Sequence, residues 1–218
     1  MCEDLTNREG GREFGSVLDV GCGTGRDLAL LTERMRIPRA VGLDLQPDML
    51  AHARARHPHL EFHQGDIRDA DLGERFDLLL CVGLVLSNLH RSEDLAAATA
   101  GLARHAAPGA LLLLELAHGT ARPAPDLPSA YTAGPYRATA DYQLDPAAST
   151  LVRRRTWHGA DLPAPVEDFV TFRTVTVEEM RALLAANGWE LTTTHDNRQL
   201  REGPLQGWRL TMTARRTG

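Results

Sequence analysis

The sequence predicts an α/β fold: a doubly wound, mostly parallel seven-stranded sheet with a small antiparallel β insertion after the fifth strand. Three observations carry this. Apolar strand runs alternate with helical patterns through residue 117, a glycine cluster follows the first run, and a two-residue periodicity takes over after residue 117.

The first strand is Val17-Leu18-Asp19-Val20, which runs into Gly21-Cys22-Gly23-Thr24-Gly25 and then into Leu28, Leu31 and Met35 at helical spacing. Ala40 to Asp44 forms the second strand, and Pro47 opens a helix carrying Met49, Leu50 and Ala53 on one face. A third strand, Leu60 to His63, ends at Gly65-Asp66. Phe76 to Val82 has the unbroken apolar character of a strand buried on both faces of a parallel sheet. Ser92 reads as the N-cap of a helix through about His105, and Pro108-Gly109 turns the chain into the fifth strand, Ala110 to Leu116.

Beyond residue 117, a loop with Pro123, Pro125 and Pro128 precedes a hairpin of Tyr136 to Leu144 and Leu151 to His158, turning at Asp145-Pro146. Phe169 to Phe172 adds a third strand. Thr176 and Glu179 form a capping-box pair ahead of Met180, Leu183 and Leu184, with Gly188 as the stop, and Trp189 to Thr194 and Trp208 to Thr213 close the chain as strands. The expected division is a cofactor-binding core over 1–117, the insertion over 118–175, and a C-terminal helix with strands completing the core sheet over 176–218.

With 218 residues, 43% of them hydrophobic, the chain can bury a sizeable core. It has no apolar run of the roughly 20 residues that span a bilayer, and its first residues lack a secretory signal, so a cytoplasmic location without membrane attachment is expected. Cys2, Cys22 and Cys81 are too few and too scattered for a disulfide framework or a zinc ribbon. The net charge of −5 gives the chain no general attraction to nucleic acid, and Arg153-Arg154-Arg155 falls in a strand whose side chains alternate between faces. Of the nine histidines, His52, His57, His59 and His63 lie close in sequence without metal-ligand spacing, so no metal is expected.

Ligands of open α/β sheets bind at the carboxyl ends of the strands. There, Gly21, Gly23 and Gly25 let the backbone approach a ligand, and Asp19 offers an acceptor to an ammonium group. Asp44 can accept both hydroxyls of a ribose. Asp66 can take an exocyclic adenine amine, with Ile67 flanking the ring. Together they fit a ribosylated adenine bearing an amino-acid tail, that is, S-adenosylmethionine (SAM). A nicotinamide dinucleotide fits less well, because Arg26 stands where its third fingerprint glycine belongs. The candidate cofactor-binding set is Asp19, Gly21, Cys22, Gly23, Gly25, Asp44, Leu45, Met49, Asp66, Ile67 and Cys81.

The segments VLDVGCGTGRD (17–27), VGLDLQPDML (41–50) and QGDIRD (64–69) resemble the first three motifs of class I SAM-dependent methyltransferases. The second half more loosely resembles glycine N-methyltransferase and the aminosugar N,N-dimethyltransferases. The resemblance implies SAM as methyl donor, S-adenosylhomocysteine as product, a small-molecule acceptor of secondary metabolism, and an insertion that forms a lid or a homodimer surface. That family usually carries a helical segment ahead of the first strand. Only 16 residues precede Val17, so a short or missing lid is expected there, and Glu13-Phe14-Gly15-Ser16 reads as a cloning remnant.

Methyl transfer from a sulfonium is an in-line displacement served mainly by alignment. A base is needed only for a hydroxyl or ammonium acceptor, and it belongs just past the fourth or fifth strand, which nominates His118 first and His90 second. Tyr136, with Tyr131, lies where a phenol or aromatic face could meet the cationic donor. Cys22 and Cys81 suit packing better than nucleophilic catalysis. Two rival readings stay open: transfer to RNA or protein, although Cys81-Val82-Gly83-Leu84 differs from the Asn-Pro-Pro-aromatic motif of such enzymes, and a non-methylating SAM-binding scaffold or rearrangement catalyst.

Overall fold

The computed structural model describes residues 13–119, 130–196, 205 and 208–218. Cys2, the proline-rich loop and most of the N-terminal segment, where a short or missing lid is expected, lie outside them. β1 (Ser16–Val20), β2 (Arg39–Asp44), β3 (Glu61–Gln64), β4 (Phe76–Cys81) and β5 (Ala106–His118) pair in parallel in the order β3-β2-β1-β4-β5. β11 (Arg209–Arg216) runs antiparallel along the far side of β5, and β10 (Trp189–His195) pairs with β11. These are the seven expected core strands.

The sheet is larger than predicted because β5 is longer. Its last pairing with β4 is Leu114 opposite Cys81, yet it continues to His118, leaving an open edge beyond the end of β4. β9 (Val166–Val175) takes that edge, with Ala117 opposite Thr174 and His118 opposite Val175. β9 is the inner strand of an antiparallel meander whose other members are β8 (Thr150–His158), β7 (Tyr136–Asp145) and β6 (Ala130–Ala133). The insertion is thereby hydrogen-bonded into one continuous eleven-stranded sheet. β6, which the sequence pattern missed, pairs with β7 across the turn at Gly134, whose φ of 59° suits glycine.

Helices α1 (Arg26–Met35), α2 (Pro47–Arg56), α3 (Ser92–Arg104) and α4 (Val177–Ala186) cover the core sheet. One apolar cluster packs α3 and α4 against the sheet through Leu95, Ala98, Leu102, Met180 and Leu184. A second packs α1 and α2 against the other side through Leu28, Leu31, Leu50 and Ala53. Phe14 is buried in the second cluster, and the Gly15 N–H and Ser16 hydroxyl both donate to Asp77. Residues 14–16 are thus integral to the fold.

Two capping predictions met different outcomes. Thr176 caps α4 by accepting from the Glu179 N–H, while the Glu179 carboxylate pairs with Arg173 rather than reaching back. Ser92 is the first residue of α3, not its cap; Arg91 holds that position and the Ser92 hydroxyl accepts from Arg173. Among the described residues, no helix is long and apolar enough to cross a membrane.

Candidate active site

A cavity of about 760 Å³ opens at the carboxyl ends of β1 to β4. Its walls are Val20 and Gly21 at the end of β1, Leu43 to Gln46 at the end of β2, Gly65 to Arg68 after β3, and Val85, Leu86, Asn88 to Arg91 and Asp94 beyond β4. The volume lies within the range of small-molecule sites.

The glycine loop is shaped by its neighbours. The Gly21 N–H donates to the Leu43 carbonyl at 2.7 Å, and a Cβ on Gly21 would lie 2.3 Å from Val85, so only glycine lets the loop and the segment after β4 meet. Asp44 secures the loop from the other side. One carboxylate oxygen accepts from the Gly23 N–H at 2.7 Å and the other from the Gln46 N–H at 2.8 Å. Each oxygen keeps a second lone pair, which two vicinal hydroxyls could use.

Asp19 lies beneath this loop, off the cavity wall and 2% exposed. Burial, reinforced by the charges of Asp27 and Asp44, pushes its pKa up to about 8. A nearly buried carboxyl beside two further acids suits a cationic neighbour, and the ammonium of an amino-acid tail is one. Burial also drives the Cys22 and Cys81 thiols well up, which keeps them protonated and fits packing rather than nucleophilic roles.

At the end of the neighbouring strand β3, Asp66 lines the same cavity and is bound by Arg68. The guanidinium donates Nε to Oδ1 at 3.0 Å and Nη2 to Oδ2 at 2.6 Å, while Nη1 reaches Asp94 at 2.7 Å. This arginine holds the Asp66 carboxyl below the usual carboxylate range.

The turn after β4 contains Gly83 and Leu84, both at positive φ (82° and 67°); the latter is strained for a leucine. It is held from several directions. The buried Glu115 accepts from the Gly83 N–H at 2.6 Å and pairs with Arg209 at 2.7 Å. The Ser87 hydroxyl accepts from the Ala117 N–H at 2.9 Å. Leu84 is buried in an apolar cluster with Leu151 and Phe172 of the meander and with Ala117 and Trp208.

Of the sequence-nominated residues, Gly21, Asp44, Leu45, Asp66, Ile67 and His90 line the cavity. Cys22, Gly23, Gly25, Met49 and Cys81 stand, like Asp19, behind or beside it. His118 is buried at the end of β5, off the cavity wall, and burial lowers its pKa against the opposing charges of Asp196 and Glu178. Tyr136 sits at the start of β7, where its hydroxyl donates to Asp161, far along the meander from the cavity. The Tyr131 side chain lies outside the described residues. Sequence reasoning missed Gln46, Arg68, Asn88, Arg91 and Asp94 on the wall. Only Gln46, inside the VGLDLQPDML segment, and Arg68, inside the QGDIRD segment, had a local signal.

The fold is that of the class I methyltransferases. Residues 17–109 match the family described as methyltransferase domain. The chain is similar to the dTDP-3-amino-3,4,6-trideoxy-alpha-D-glucopyranose N,N-dimethyltransferase of Streptomyces venezuelae, 41% identical over 103 residues that cover 47% of this chain and 43% of the relative. It is also similar to a trans-aconitate 2-methyltransferase of Azoarcus sp., 32% identical over 62% of this chain and 51% of that one. The matches thus span about half or less of these relatives. Over nearly the whole chain, it resembles the structure of a SAM-bound amino pentose methyltransferase from Micromonospora echinaspora, with a TM-score of 0.76 and 29% identity, covering 99% of this chain and 90% of the other. A SAM-dependent methyltransferase from Clostridium acetobutylicum has a TM-score of 0.79 at 16% identity and shares the fold, covering 100% and 90% of the two chains.

Proposed function

We propose that the chain transfers the methyl group of SAM to an amine of a small molecule, an amino sugar being the acceptor class that its relatives favour. The carrying observation is that Asp44, holding the glycine loop, and Asp66 line one cavity from neighbouring strand ends, an order of acceptors that suits ribose hydroxyls and an adenine amine. When bound, SAM supplies a methyl group on a positively charged sulfur. The chain's own residues do the rest. Asp44 fixes the ribose, Asp66 and Ile67 the base, and the wall formed by residues 85–91 faces the acceptor side. Most of the acceleration comes from alignment, because the displacement forms and breaks its bonds without a protein nucleophile. An amine must be uncharged when it attacks, and His90, exposed on that wall, is our candidate for taking the proton of an acceptor that arrives as its ammonium.

The meander, spliced onto β5 beside that wall, is proposed as the acceptor-side cover, and a second copy of the chain as a partner through it. A monomeric mass in light scattering at working concentration would remove the latter. Calorimetric titration of SAM into wild type and Asp44→Ala tests the cofactor assignment. Two charge-assisted contacts are lost in the variant, so affinity should fall on the order of a hundredfold. Equal affinity in both proteins would overturn the assignment, and accumulation of S-adenosylhomocysteine only with an added amine tests transfer.

A further inference from the structure

We propose that Arg68 is the positioning residue for base recognition, holding Asp66 so that one acceptor direction faces the cavity and selects a nucleoside with an amine at the 6-position. The proposal rests on the SAM reading above.

The loop after β3 is clamped along α3 at three points. At the helix start, Arg68 Nη1 donates to Asp94. One turn before the helix end, Gly101 packs so tightly on the loop that a Cβ there would lie 1.8 Å from the Ile67 carbonyl oxygen. At the end, Arg104 donates to the carbonyls of Arg68 and Ala70, both at 3.3 Å. A loop fixed in this way cannot reorient its carboxylate freely.

A carboxylate offers about four acceptor directions. The Arg68 backbone N–H and Nε occupy Oδ1, and Nη2, with a share of Nε, occupies Oδ2. What remains is close to one direction on Oδ2, enough for one amine hydrogen. The paired carboxylate stays ionised and can only accept. A 6-oxo base would present an acceptor to it and be repelled, whereas a neutral carboxyl could donate to that oxygen and discriminate poorly. Asp66, Arg68 and Asp94 all line the cavity, so the strap is part of the wall itself. An arginine fork suits this role where a lysine would not, because two parallel contacts fix the plane of the carboxylate.

The test is calorimetric binding of S-adenosylhomocysteine and its 6-oxo analogue, S-inosylhomocysteine, to wild type, Arg68→Gln, Arg68→Lys and Asp94→Asn, with melting temperatures as a folding control. Wild type should prefer the adenine ligand by about tenfold or more. Arg68→Gln should lose most of that preference, mainly by weakening the adenine ligand. Arg68→Lys and Asp94→Asn should fall between, which keeps the question answerable should Arg68→Gln fold poorly. An unchanged ratio, or equal weakening of both ligands, would overturn the proposal and leave Arg68 a structural clamp. Equal binding of both ligands by wild type would also overturn it, whereas binding of neither by folded wild type would instead remove the SAM reading.

Discussion

Asp19→Asn should stabilise the protein at neutral pH while weakening its hold on SAM. The Asp19 carboxyl has an ordinary pKa of 3.8 and one of about 8 in the fold, so the folded state retains a proton that the unfolded chain has released. A raised folded pKa contributes stability that is complete below the unfolded value and is lost as pH rises through the folded one. Between pH 4 and 8 the contribution declines by about 1.4 kcal/mol per pH unit, reaching on the order of 4 kcal/mol at pH 7. Asparagine resembles the protonated acid and does not titrate. Any fixed cost of its amide cancels when the stability difference between variant and wild type is compared at two pH values. Urea unfolding at pH 5 and pH 7 should show that difference shifting in favour of the variant by about 3 kcal/mol at the higher pH. A difference unchanged between the two would refute the argument that Asp19 is buried as a neutral acid. In the cofactor arm, loss of a charged acceptor for the SAM ammonium should weaken binding at pH 7 by about ten- to a hundredfold, read by calorimetry. The wild type should also release most of a proton on binding, seen as a dependence of the measured heat on buffer ionisation enthalpy.

Gly101→Ala forces a methyl group against the Ile67 carbonyl and should cost about 1–3 kcal/mol in denaturant unfolding, with weaker S-adenosylhomocysteine binding as the Asp66 loop is displaced. Thr176→Ala removes the side-chain cap of α4 and should cost about 1 kcal/mol in thermal unfolding without altering cofactor affinity. His90→Ala should reduce kcat by about a hundredfold for an amine presented as its ammonium, with SAM affinity retained; an unchanged kcat below the amine's own pKa would exclude His90 as the base.

The parts of the site nearest in sequence to the strand ends were legible. Gly21, Asp44 and Asp66 each follow a strand whose apolar run is evident, and an open parallel sheet brings such positions together whatever the loops do. Residues whose roles depend on distant partners were not. Arg68 meets Asp94 across 26 positions, and Glu115 meets Arg209 across 94, separations that no local pattern encodes. The expectation for Tyr136 treats the insertion as a single cover over the pocket. A strand advances about 3.4 Å per residue, however, and Tyr136 lies eight residues along β7 from Leu144, whose end of the meander packs beside Leu84. His118 was judged from its place after β5, and the extension of that strand to pair with β9 buries it. β6 escaped notice because Ala130 to Ala133 has no alternation, and its identity comes from pairing with β7.

The overhang of β5 divides the site into two inheritances. Asp44 and Asp66 are secured by contacts that begin and end within residues 16–104, whereas the wall beyond β4 is secured by Glu115, Ala117, Arg209 and the side chains of the meander. Exchange of the meander between related proteins would therefore redraw the acceptor side while leaving nucleoside affinity close to its original value. A change in the glycine loop or the Asp66 loop would do the reverse. On the proposed function, acceptor choice can diversify along one stretch of chain without disturbing the stretch assigned to the methyl donor.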